Sequence, residues 1–269
     1  LFMSFISTSR STLFRLHPVI RMASVQASPS KKVKTNSQVI LAPPASVPLS
    51  AASVSKTTLV YWDIRGLAQS CRLALEYVGE SYDDVRIDAG EPGTETFKQN
   101  WFSVKNQVDI PFPNLPYFFD GNVAISQSGA ILKHIARKHN LGGDCPSKVD
   151  MVMDVLVDYD STISRMCYGA YVDGGKEQWI EANMKPTLQS FEKHLSTHKF
   201  IAGDEVTIAD FKAYEEFDKT RIIAPVEFES FVNVVNYLKS LKALSGIAEY
   251  LASDKYIDRP INNPHAQFK

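Results

Sequence analysis

The chain of 269 residues carries 29 basic and 30 acidic residues for a formal charge of −1, with 44% of its residues apolar, the balance of an ordinary soluble globular protein with room for one large domain or two modest ones. The charge is unevenly spread: Arg10, Arg15, Arg21, Lys31, Lys32, Lys34 and Lys56 precede the first acid, Asp63, so the remainder sets 22 bases against 30 acids and carries −8. A net-acidic folded part argues against a nucleic-acid partner, and no apolar run approaches the roughly 20 residues that cross a bilayer.

Residues 1–56 are rich in Ser, Ala, Val and Pro, with Pro43, Pro44 and Pro48 close together. Such composition buries little apolar surface, and a disordered extension is expected there. Its first two dozen residues combine Arg, Ser and apolar residues without acid, as organelle presequences do, and residues 9–21 could form a basic amphipathic helix. Met3 and Met22 are both candidate starts. Two locations follow: cytoplasmic, or mitochondrial or another organelle if the extension is a real presequence. The basic run at 31–34 reads as a solvated linker.

Structure is expected from Thr57. The β-branched and aromatic run Thr57–Trp62 predicts a strand. After the Arg65-Gly66 turn, a helix carries Leu73, Leu75, Tyr77 and Val78 and stops at Gly79, and Tyr82–Ile87 predicts a second strand. A long Gly/Pro-containing loop follows, from about Asp88 to Gly93. Leu115–Asp120 and Val123–Ile125, joined through Gly121-Asn122, predict an antiparallel hairpin, and Gln127-Ser128 opens a helix reaching about His139. From Val149 onward, apolar spacings of three and four predict helices only. Thr207-Ile208-Ala209-Asp210 has the form of a capping box, with Val206 and Phe211 as the flanking staple, and is expected to start a buried helix. The reading is an α/β domain over 57–142 and an all-α domain over 148–269, with a boundary near Gly142 to Ser147.

Cys71, Cys145 and Cys167 form no C-x-x-C pair and no cluster with histidine, which fits separate thiols in a reducing compartment. The sequence holds no G-x-S-x-G elbow, P-loop, G-x-G-x-x-G or H-E-x-x-H. His134 and His139 share a helix without an evident acid or thiol partner, so no metal site is expected. What remains is Tyr61 at the end of the first strand, where sandwiches of this order expose side chains. Taken alone, a strand tyrosine is a packing residue.

Tyr61-Trp62-Asp63-Ile64-Arg65-Gly66-Leu67-Ala68 resembles the start of mu-class glutathione S-transferases. Phe112-Pro113-Asn114-Leu115-Pro116-Tyr117, Gln127-Ser128 and Ala136-Arg137-Lys138-His139-Asn140-Leu141 are similar in register. The resemblance runs from about Thr58 to the C-terminus. After Leu141 it weakens, and Val149-Asp150-Met151-Val152 looks more like the pi and sigma classes.

The resemblance implies a thioredoxin-like glutathione-binding half, an all-helical half, and conjugation of glutathione, as co-substrate, to small hydrophobic electrophiles in detoxification. No permanently bound cofactor and no metal are implied. Tyr61 would donate a hydrogen bond to the glutathione sulfur and favour thiolate. Lowering a thiol from about 8.5 to about 6.5 takes about 2.7 kcal/mol, within the range of one hydrogen bond to a charged group. Trp62, Leu67, Lys98, Trp101, Lys105, Asn114, Leu115, Pro116, Gln127 and Ser128 match positions around the tripeptide. The Leu115-Pro116 bond is expected cis, with the Leu115 backbone pairing with the peptide as an added strand. Lys98 stands where the mu class usually has arginine, replacing a two-pronged grip by a point charge.

Asp158, with Asp160 as the alternative, matches an aspartate that reaches the glutathione of a partner subunit. Phe112 matches an aromatic key that inserts into that subunit, so a homodimer is implied. Ile64, Leu67, Met166 and Tyr168 would line the electrophile pocket, joined by Ser161 and Ser164. Two other readings stay open: a non-catalytic ligand-binding or structural relative on the same fold, and a thiol oxidoreductase, which would need a cysteine where Tyr61 stands.

Overall fold

The computed structural model describes residues 38–42 and 46–269. The expected helix at 9–21 and the basic linker at 31–34 lie outside the described residues.

Thr57–Trp62 forms the central strand, β2, buried at every position, as a strand covered on both faces requires. It pairs in parallel with β3 (Tyr82–Ile87) and antiparallel with β4 (Tyr117–Asp120), which makes a hairpin with β5 (Val123–Ser126). Helix α1 (Gln69–Val78) connects β2 to β3 and ends at Gly79, whose φ of 68° closes it in the left-handed conformation. Helix α3 (Ser128–His139) follows the hairpin and packs on α1. The loop after β3 runs longer than expected, to Lys98, and ends in the one-turn helix α2 (Gln99–Phe102).

The sheet is larger than expected. Gln38–Ala42 forms β1, parallel to the outer edge of β3, and the strand order is β1-β3-β2-β4-β5. Residues 46–56 were expected to be disordered with the rest of the extension; instead they lie against the sheet. Val47 is buried, and the carbonyls of Pro48 and Leu49 accept hydrogen bonds of 2.7 Å from the Tyr117 hydroxyl and the Asp109 N–H. The physical reason is the edge. Without a neighbour, β3 would present unpaired main-chain groups on one side, and main-chain partners can be drawn from a segment whatever its side-chain composition.

The C-terminal half is helical. Helix α4 (Pro146–Gly169) begins with proline at a first-turn position, where a missing N–H costs nothing. Then come α5 (Lys176–Trp179) between two π turns, α6 (Lys185–Leu195), α7 (Ile208–Ile223), α8 (Pro225–Phe228), α9 (Val232–Lys242), α10 (Ile247–Leu251) and an irregular tail. The Asp210 carboxylate accepts from the Thr207 N–H and hydroxyl, the Ile201 N–H and the Tyr237 hydroxyl, all within 2.5–3.0 Å. The acid of the expected capping box thus organises the start of α7 together with two neighbouring segments.

Helix α7 is buried nearly all round, charged residues included. Asp160 of α4 pairs with Lys212 (3.0 Å) and Lys219 (2.6 Å), and Glu216 pairs with the same two lysines at 2.7 Å each. Arg65, in the turn after β2, pairs with Glu215 (2.7 Å) and Asp218 (3.0 Å), tying the α/β half to the helical half. Removing one partner from such a set leaves a buried charge unmatched and is strongly destabilising.

Candidate active site

The order of the strands brings separate parts of the chain to one end of the sheet. Val60 pairs with Tyr117, and Tyr117 pairs with Ser126. The end of β2 (Tyr61, Trp62), the approach to β4 (Asn114 to Pro116) and the exit from β5 into α3 (Gln127, Ser128) therefore share an edge. The Leu115-Pro116 peptide is cis. Gln127 holds a φ of 75° just before α3, and a non-glycine residue there is strained. Helix α3 opens at Ser128 with its unpaired N–H groups and the positive end of its dipole, a setting that favours a carboxylate.

Tyr61 is buried, and its hydroxyl accepts a hydrogen bond from the Leu67 N–H at 3.1 Å. Burial pushes its pKa up to about 12; the Leu67 amide opposes the shift and the nearby Tyr168 hydroxyl adds to it. The phenol is therefore neutral at any physiological pH, with its lone pair engaged and its proton left for a donor role. Glycine is required at position 66: φ is +42°, and a Cβ there would stand 2.7 Å from both the Tyr61 hydroxyl oxygen and its Cε1. The turn is held from outside as well. The Arg65 and Gly66 N–H groups donate to the Pro260 and Ile261 carbonyls at 3.0 Å. Arg72, fully buried, grips Asp84 and donates to the Ile64 carbonyl at 2.9 Å.

The other expected residues fall into three groups. Trp62 and Trp101 are buried, Lys98 and Lys105 are half-buried, and Asn114 is exposed with its side-chain oxygen accepting from the Leu115 N–H at 3.0 Å. The Trp101 ring stacks on Tyr117 at 5.8 Å, so it belongs with this edge. Of the residues expected around an electrophile, Leu67 is exposed and Tyr168 half-buried, its hydroxyl accepting from the Asn263 N–H at 3.0 Å. Ile64 is packed away beneath the Tyr61 turn, and Met166 is buried in α4, lining a cleft of about 210 Å³ with Thr162, Gln178 and Trp179. Ser161 is exposed and its hydroxyl is tied to the Val157 carbonyl one turn back.

Asp158 and Asp160 separate cleanly. Asp158 is exposed on α4. Asp160 is buried: burial alone would raise its pKa, but Lys219 and Lys212 hold the carboxyl well below the usual carboxylate range. Phe112 is 80% exposed, on a loop fastened where the Ser126 hydroxyl donates to the Phe112 carbonyl at 2.6 Å. Between α4 and α6 runs an apolar cleft of about 420 Å³ lined by Met151, Val152, Val155, Pro186 and Phe191 among others.

One residue was missed. His265, in the irregular tail, lies with its ring 4.9 Å from Tyr168 and 5.5 Å from Phe97. Burial and the charge of Lys98 lower its pKa. No local pattern marks a histidine in a turn-rich tail, so only the packing of the tail reveals it.

Cys71, the cysteine nearest Tyr61 in the sequence, offers no competing nucleophile. Cys71 is fully buried, and burial pushes its thiol up to about 12. Among the described residues no group of His, Cys, Asp and Glu is placed to hold a metal ion, and no helix is long and apolar enough to cross a membrane.

A thioredoxin-like half bearing a neutral, oriented tyrosine hydroxyl and a helix N-terminus, joined to an all-helical half, is the arrangement that the resemblance to glutathione S-transferases implies. The sequence comparisons agree with it. Residues 57–137 match the glutathione S-transferase N-terminal domain and residues 157–254 the C-terminal domain. The chain is 38% identical to glutathione S-transferase Mu 3 of Homo sapiens over 80% of its length and 96% of that protein, and 36% identical to glutathione S-transferase Mu 5 of Mus musculus over 80% and 97%. Among solved structures it is similar to the pi-class glutathione S-transferase of Onchocerca volvulus, at 32% identity and a TM-score of 0.69, covering 79% of this chain and 100% of that one. The chain belongs to the glutathione S-transferase family, and it is a glutathione transferase with glutathione as co-substrate.

Proposed function

We propose that this enzyme conjugates glutathione, activated as thiolate by Tyr61, to small hydrophobic electrophiles, acting as a mu-class-like detoxification enzyme and a cytoplasmic homodimer. The observation that carries the reading is the state of the Tyr61 hydroxyl. It is neutral, it accepts from the Leu67 N–H, and its proton can point at a sulfur. Positioning and thiolate stabilisation are then the main contributions to rate.

The tripeptide would lie along the shared sheet edge. Its γ-glutamyl carboxylate would meet the Gln127-Ser128 helix start, its main chain would pair with Leu115, and its glycine carboxylate would sit near Trp101, Lys105 and Lys98. Leu67 and Tyr168 would face the electrophile, with His265 beside them. In the dimer, Phe112 would enter the α4–α6 cleft of the partner, and Asp158 rather than the internally paired Asp160 would reach across. Conjugation of a standard aryl halide by Tyr61→Phe, with glutathione binding followed by calorimetry, tests this. The expected result is a sharp loss of turnover with binding retained; full activity in the variant would refute the role of Tyr61.

A further inference from the structure

We infer that residues 46–50 of the N-terminal extension are a positioning element of the glutathione site, holding Tyr117 and, through it, Trp101 in place. The inference rests on the reading that Trp101 contacts glutathione. The N-terminal domain match begins at residue 57, so this element comes from a part of the chain that the family domain does not include.

The contacts are few and directed. Val47 is 5% exposed, between exposed Ser46 and half-buried Pro48, and is the most deeply inserted apolar side chain of the segment, with half-buried Leu49 packed beside the core as well. The next two residues then offer their carbonyls in succession. The Pro48 carbonyl takes the Tyr117 hydroxyl proton at 2.7 Å, and the Leu49 carbonyl takes the Asp109 N–H at 2.7 Å. Both donors belong to the stretch that carries the tripeptide-binding residues. Asp109 opens the loop leading through Phe112 and Asn114 to Leu115, and Tyr117 closes it at the start of β4.

Tyr117 transmits the constraint. Its ring is fully buried and stacks on Trp101, with planes 29° apart and centroids 5.8 Å apart. Burial keeps the phenol protonated and hence a donor. A ring fastened at its far end by a hydrogen bond can no longer slide or tilt independently, so it fixes the indole packed on it. Without the extension the hydroxyl loses its acceptor and the Asp109 N–H loses its partner, while Tyr61, Leu67 and Gly66 keep theirs. The effect should therefore fall on glutathione affinity rather than on the chemical step.

The test uses the full chain with substitutions Val47→Asp, Val47→Ile, Tyr117→Phe and Trp101→Ala, reading kcat, the KM for glutathione, the KM for an aryl halide, and the melting midpoint. A carboxylate at the Val47 position cannot stay buried there unpaired and should lift the segment off the sheet. Val47→Asp is expected to raise the glutathione KM about tenfold, the worth of two ordinary hydrogen bonds, with kcat at saturation within about twofold; Val47→Ile should restore the native KM. Tyr117→Phe keeps the ring and removes only the donor, and should raise the same KM about threefold even if Val47→Asp folds poorly. If Trp101→Ala raises the glutathione KM while Val47→Asp and Tyr117→Phe leave it unchanged, the positioning role is overturned and the reading of Trp101 stands. If Trp101→Ala changes nothing, that reading fails and the inference with it. A fall in kcat that simply tracks the melting midpoint would mark a general structural role and would also overturn it.

Discussion

Replacing Phe112 by Ser tests the proposed dimer from one of the most exposed large apolar side chains among the described residues. Phe112 is 80% exposed in the isolated chain, on a loop pinned through its own carbonyl, so little ordering is needed to present it. Burying such a side chain stabilises by about 1.5–3 kcal/mol. A two-fold interface carries two copies, giving about 3–6 kcal/mol per dimer, or a dissociation constant raised by about two to four orders of magnitude. Sedimentation equilibrium from nanomolar to micromolar concentration reads it directly. Val226→Ser, which removes an equally exposed apolar group (81% exposed), is the control and should leave the dissociation constant unchanged. Val155→Glu in the α4–α6 cleft should weaken the dimer too, and the double variant should lose less than the sum, because both changes remove one contact. A folded Phe112→Ser protein whose dissociation constant moves by less than about threefold would refute the key-and-cleft reasoning.

Three further outcomes follow from the geometry. Gly66→Ala should lower kcat by about tenfold or more, because the methyl must displace the Tyr61 ring at a φ of +42°; steady-state kinetics with circular dichroism as a fold control checks this. The pH profile of conjugation should rise through the pKa of the bound thiol and show no second inflection near pH 10. Tyr61 is raised to about 12, so its proton is retained between pH 10 and 12, where an exposed tyrosine would have lost it, and stability from burying the neutral phenol is full below pH 10 and declines as pH rises toward 12. Asp158→Asn should raise the glutathione KM without lowering the denaturation midpoint, whereas Asp160→Ala should cost about 3–5 kcal/mol in urea unfolding, since it leaves Lys212 and Lys219 with Glu216 alone and one buried positive charge unmatched.

Much of the architecture was legible because its signals are local. A run rich in β-branched and aromatic residues made β2, Gly79 ended α1, the Asp120-Gly121 step turned the hairpin, and Thr207 with Asp210 marked the start of α7. What was not legible depends on distant partners. The Ser-rich segment 46–56 docks chiefly through the Pro48 and Leu49 carbonyls and the buried Val47, with Leu49, Ala51 and Val54 half-buried beside them, contacts that composition does not reveal. Asp158 and Asp160 sit two residues apart on one helix, and only Lys212 and Lys219, more than fifty positions later, determine which is buried. The burial of Ile64 in the turn after β2 and of Met166 beside the Trp179 cleft likewise depends on distant packing that no local pattern records. His265 comes to lie beside Tyr168 because the tail returns across the turn at Arg65 and Gly66.

The most direct test of the central claim is the ionisation of enzyme-bound glutathione, followed by thiolate absorbance across pH in the wild type and in Tyr61→Phe, both saturated with glutathione. The bound thiol of the wild type is expected to ionise at about pH 6.5 rather than at the free value of about 8.5, with most of that lowering lost when the hydroxyl is removed. Equal thiol pKa values in the two proteins, with glutathione bound in both, would contradict it.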